Sequence, residues 1–128
     1  GVIKIFQETT LTPEDDMEGM VEYGLSVVNN EPEEALRIYY EAMELYEENN
    51  RKYPLPAEII DLSIAIVLNI AKTDIQHAIN LLDIIEIEEF RVETIDKLLL
   101  MTEEVYYKVV LNGMKEGVDK WEKVEKTS

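Results

Sequence analysis

Ala57-Glu58-Ile59-Ile60-Asp61-Leu62-Ser63-Ile64-Ala65-Ile66-Val67-Leu68-Asn69-Ile70-Ala71-Lys72 is the stretch on which the fold class turns. Its β-branched residues favour a strand by propensity. Its length does not: sixteen residues pass without a turn signal, whereas strands usually run about 5–6 residues. The segment therefore reads as a helix. Ile59, Ile60, Leu62, Ile64, Ala65, Ile66, Val67, Leu68, Ile70 and Ala71 make it apolar nearly all round, so it belongs at the centre of a helical fold.

On the N-terminal side, Thr12-Pro13-Glu14-Asp15 is a helix start, with a threonine cap, a proline in the first turn and acids at the positive pole. Met17, Met20, Val21, Gly24, Leu25 and Val28 then fall on one helical stripe. Asn29-Asn30-Glu31 ends this helix and Pro32-Glu33-Glu34 opens a second, with Ala35, Ile38, Tyr39, Ala42, Met43 and Tyr46 inward. Asn49-Asn50 and Tyr53-Pro54-Leu55-Pro56 stop it. So short a joint implies an antiparallel hairpin.

On the C-terminal side, Thr73-Asp74 caps a fourth helix with Ile75, Ala78, Ile79, Leu82 and Ile85 inward, and Glu88-Glu89-Phe90-Arg91 reads as the next joint. A fifth helix from near Val92 to Lys126 carries Ile95, Leu98, Leu99, Thr102, Val105, Tyr106 and Val109 on one face. It would be about 50 Å long, against roughly 25 Å for its neighbours. Either Asn112-Gly113 or Gly117 bends it back, or its tail packs on another chain. The expected architecture is all-α: an extended segment over residues 1–12, then one domain over residues 13–128 with five helices, as two hairpins and a long terminal helix.

Asn30-Glu31-Pro32-Glu33-Glu34-Ala35-Leu36-Arg37-Ile38-Tyr39-Tyr40-Glu41-Ala42-Met43-Glu44-Leu45 resembles the second helix of a tetratricopeptide repeat, with Ala35, Tyr39 and Ala42 on the family's small, aromatic and small positions. Ala78-Ile79-Asn80-Leu81-Leu82 echoes Ala35-Leu36-Arg37-Ile38-Tyr39 at a spacing of 43 residues. The resemblance spans about residues 13–90. It departs from the family at Glu47, where a closing proline is usual, and in a period longer than about 34 residues. It implies stacked hairpins whose first and third helices line a groove, so that Glu18, Glu22, Ser26, Asn29, Asp61 and Asn69 face a bound peptide.

The chain holds 28 acidic and 12 basic residues, a formal net charge of −16, with 46% hydrophobic content. That is a folded acidic protein, repelled by nucleic acid and by anionic membranes and attractive to basic partners. Nine acids and no base lie between Lys4 and Arg37. With no cysteine there is no disulfide, thiolate metal site or thiol nucleophile, which points to a cytoplasmic setting. No secretory leader is read in Val2-Ile3-Lys4-Ile5-Phe6, and Asn69, Lys72 and Asp74 break the one strongly apolar run before it reaches membrane-spanning length.

His77 is the single histidine. A helical-bundle histidine can relay phosphoryl groups, but Ala78-Ile79-Asn80-Leu81-Leu82 follows it without a lysine to meet the phosphate, and it reads as a boundary or surface residue. Glu14, Glu18 and Glu22, like Glu44 and Glu48, recur at i+4. They read as solvated acidic faces, since no Glu-x-x-His and no calcium loop accompanies them. Phosphate loops, nucleophile elbows and catalytic triads are absent, so no enzyme, cofactor or metal is expected.

The expected function is a noncatalytic interaction module whose acidic face steers a basic peptide or protein. Alternatives are a structural homodimer through Met114, Val118 and Trp121 on the last helix, an acidic mimic of nucleic acid, and a carboxylate metal-binding protein. Tyr40 and Tyr107 are expected to be the exposed members of the adjacent tyrosine pairs.

Overall fold

The structure is a computed structural model that describes Thr12 to Thr127, with side chains as far as Gly117. The extended segment expected over residues 1–12 lies outside the described residues except for Thr12. All regular elements among the described residues are helical: α1 Pro13–Val27, α2 Pro32–Glu48, α3 Glu58–Ala71, α4 Ile75–Asn80 with a 3-10 turn at Leu82–Ile84, α5 Glu88–Met101 and α6 Val105–Thr127. The all-α class is as expected, and among the described residues the α-helices number six instead of five. The described residues form two compact units, one up to Ile66 and one from Val67 onward.

In the first unit, α1 opens on a capping box: the Asp15 N–H donates to Thr12 Oγ1 at 3.2 Å, and the Thr12 N–H donates to Asp15 Oδ2 at 3.3 Å. Pro13 stands in the first turn, where a missing N–H costs nothing. The chain reverses over Val28 to Glu31, and α1 and α2 pack along each other. Met17, Val21 and Gly24 from α1, Val28 just after it, Ala35, Leu36, Ile38, Tyr39 and Ala42 from α2, and Ile59, Leu62 and Ile66 from α3 are buried. Gly24 packs closely on α3: a Cβ there would lie 2.9 Å from Leu62 Cδ2 and 3.1 Å from Cδ1, so any larger residue requires the buried Leu62 side chain to shift. The α2 terminus is a Schellman motif. The Arg51 N–H donates to Tyr46 O and the Asn50 N–H to Glu47 O, both at 3.0 Å, with Asn50 at φ 54° and Arg51 at φ 59°.

In the second unit, Asp74 caps α4 by accepting the His77 N–H at 3.1 Å. The expected helix to Ile85 stops at Asn80, and the chain tightens into the 3-10 turn. Leu81, Leu82 and Ile85 stay buried through this turn. Glu88-Glu89-Phe90-Arg91, read from sequence as a joint, is instead the first turn of α5, where Glu88 and Glu89 sit at the positive pole. Arg91 fixes this corner by donating from Nη1 to Ile85 O at 3.0 Å.

The single long helix expected from Val92 to Lys126 is two helices, and neither Asn112-Gly113 nor Gly117 interrupts α6. The break falls at Thr102, whose backbone is extended (φ −110°, ψ 141°) and whose Oγ1 accepts the Glu104 N–H at 3.2 Å. Such a threonine turn competes with the helical ladder for the same backbone groups. The break resets the helical phase: Ile95, Leu98 and Thr102 are buried, whereas Val105, Tyr106 and Val109 are exposed and Leu111 is buried in their stead. For the same reason Tyr106 is the exposed member of its pair and Tyr107 is half-buried, the reverse of the expectation; Tyr40 is exposed as expected. α6 contacts both α4 and α5, and Lys115 Nζ meets Asp96 Oδ1 at 2.7 Å across the α5–α6 pair.

Candidate functional site

The spacing of Glu18, Val21, Glu22 and Leu25 sets four side chains on one stripe of α1. Opposite this stripe, Pro56 ends the loop after α2 and Glu58 begins α3. Together these six residues line a partly open groove of about 430 Å³. Its floor is apolar: Val21 is buried, and Leu25 and Pro56 are half-buried. Its rim is acidic, with Glu18, Glu22 and Glu58 all exposed to water.

These carboxylates differ from most of the paired acids nearby. Arg37 lies between Glu34 and Glu41, and Arg51 pairs with Glu47. The Arg37 hydrogen bond holds the Glu34 carboxyl below its ordinary range, and the same contact raises Arg37. Among the described residues, no ion pair or hydrogen bond engages the side chains of Glu18, Glu22 or Glu58. Nor do any three His, Cys, Asp or Glu side chains among the described residues approach closely enough to hold a metal ion. The rim carboxylates are thus spread around an apolar floor instead of converging on a point. That arrangement suits a cationic group carried on an apolar stem better than a bare ion.

Of the residues singled out from sequence, the groove unites Glu18 and Glu22. Ser26 lies one turn on from Glu22, exposed, with its hydroxyl donating to Tyr23 O at 2.6 Å. Asn29 is exposed in the turn after α1. Asp61 is exposed one turn beyond Glu58 and does not line the groove. Asn69 belongs to the second unit; it is 9% exposed, and its Oδ1 accepts from Lys72 Nζ at 3.0 Å. Met114 is half-buried, and the side chains of Val118 and Trp121 lie outside the described residues. His77 is half-buried on α4, its backbone held by the Asp74 cap.

Pro56 and Glu58 were not singled out from sequence. Glu58 is legible as a first-turn acid of the third helix, but its nearness to Glu18 and Glu22 depends on how residues 49–57 cross over, and periodicity does not encode that. No helix among the described residues is long and apolar enough to cross a membrane. No family model, curated protein or solved structure matches the chain.

Proposed function

We propose that this chain is a noncatalytic interaction module whose first unit binds a lysine- or arginine-bearing segment of another protein. The observation that carries this reading is the groove of Glu18, Glu22 and Glu58 over Val21, Leu25 and Pro56. The methylene stem of a basic side chain covers the apolar floor while its charged head meets the rim. Glu18 and Glu22 stand at i, i+4 on α1, an arrangement that costs an isolated helix about 0.2–0.5 kcal/mol. A cation in the groove removes that repulsion. The net charge of −16 adds long-range attraction, so association is fast and weakens with ionic strength.

The tetratricopeptide-type hairpin is part of the same proposal. It is supported by the burial of Ala35, Tyr39 and Ala42 on one face of α2 and by the close approach of Gly24 to Leu62. The six-residue α4 is shorter than a full second hairpin of that type would use.

The test is titration of the chain with fluorescent Lys/Arg-rich peptides, read by anisotropy at low and high salt. Replacing Glu18, Glu22 and Glu58 together by glutamine should abolish saturable binding. A control with Glu86, Glu89 and Glu93 replaced by glutamine changes the net charge equally and should keep most of the affinity. Equal losses in the two variants would show that net charge alone, and not the groove, captures the peptide.

A further inference from the structure

Ahead of Thr12 the chain carries Val2-Ile3-Lys4-Ile5-Phe6, four apolar residues around one cation. Lys4 is the single base before Arg37, and nine acids lie between the two. The groove of the first unit has the complementary pattern: the carboxylates of Glu18, Glu22 and Glu58 surround an apolar floor. That floor is incompletely covered, since Leu25 and Pro56 are only half-buried.

We infer that residues 2–6 are the groove's own occupant: Lys4 meets the rim carboxylates, and the apolar residues beside it cover Leu25 and Pro56. This rests on the reading of the groove as a seat for a basic side chain on an apolar stem. It adds that the seat is filled from within the chain until a partner displaces the segment.

The tether permits the contact. Thr12 caps α1, and Glu22 lies about 15 Å along the helix from it at 1.5 Å per residue. Lys4 stands eight residues before Thr12, a reach of up to about 26 Å in extended chain. Enough chain therefore remains to reverse and run back beside α1. A short tether also holds the segment near the groove at an effective concentration on the order of millimolar. A site of modest affinity is then filled in most molecules, and a basic segment of another protein binds only the fraction left open. Such occupancy does not depend on protein concentration, unlike insertion of the same segment from a second copy.

The full-length double variant Ile3→Ser, Phe6→Ser removes the apolar part of the segment and leaves the net charge unchanged. In proton–nitrogen correlation spectra it should differ from wild type at the amides of Val21, Glu22, Leu25 and Glu58, and not at Ile95 or Leu98 in the second unit. The differences should be the same at every protein concentration, and Lys4→Gln should perturb the same amides. With the fluorescent Lys/Arg-rich peptide, the double variant should bind about three- to tenfold more tightly than wild type, as the open fraction rises toward one. Spectral differences confined to the neighbourhood of the substitutions, differences that grow with protein concentration, or equal measurable peptide affinity in the two chains would each overturn the proposal. The two readings of the groove fail separately. If the groove amides respond but the peptide binds neither chain, the segment is the occupant and the foreign basic partner is lost. If peptide binding needs Glu18, Glu22 and Glu58 yet the groove amides ignore the substitutions, the partner stands and the internal occupant is lost.

Discussion

Gly24 is small because Leu62 occupies the space a side chain would need. A Cβ at 2.9 Å from a methyl of a fully buried leucine forces that leucine off its packing position. Gly24→Leu should therefore destabilise the chain by about 1–3 kcal/mol through overpacking, even though leucine is the better helix former. Urea unfolding followed by circular dichroism measures this, and a stability equal to wild type would mean that α1 and α3 do not approach as closely as the geometry requires. The need for a small residue is faintly readable in sequence, since a glycine in the apolar stripe of α1 has no propensity reason to be there. Its partner is not readable, because Leu62 is one of ten apolar residues on a helix with no polar face to orient it.

Thr102 decides the element count. Threonine is only a mediocre helix residue, and on either side of it the sequence offers apolar spacing that a single helix would satisfy, so nothing local announces a break. The break comes from packing: Thr102 is buried at 6% exposure, and its hydroxyl supplies the acceptor that the Glu104 N–H lacks outside a helix. Thr102→Ala removes that acceptor and should cost about 1 kcal/mol. It should also speed hydrogen exchange at the Glu104 amide relative to amides in the centre of α5. Unchanged exchange there would mean that the turn is held by packing alone. The caps at Thr12 and Asp74, by contrast, were legible from sequence, because capping is a contact between residues three apart and needs no tertiary partner.

Over the whole molecule, repulsion outweighs pairing. The ion pairs of Arg37, Arg51 and Lys115 are solvent-exposed, and such contacts typically contribute about 0–1 kcal/mol each, set against a net charge of −16. Screening should therefore stabilise the fold: the thermal midpoint should rise as sodium chloride increases from low to physiological strength, before any specific salt effect enters. A midpoint that falls with salt would mean that the pairs outweigh the repulsion. On the proposed function the same screening should weaken capture of a basic segment, so stability and affinity should move in opposite directions with salt.

What the sequence by itself determined is whatever depends on neighbours along the chain. The length of residues 57–72 excluded a strand, the stripes of α1 and α2 set their buried faces, the capping residues set several helix starts, and the acid excess set the sign of the chain's own charge. Tertiary structure alone decided where Thr102 breaks the chain, that Val105 and Val109 face water instead of the core, and that Pro56 and Glu58 complete a groove with Glu18 and Glu22. Each of these joins residues far apart in sequence or resets the phase of a helix, and a periodic pattern carries no record of the loop path or packing partner that does so.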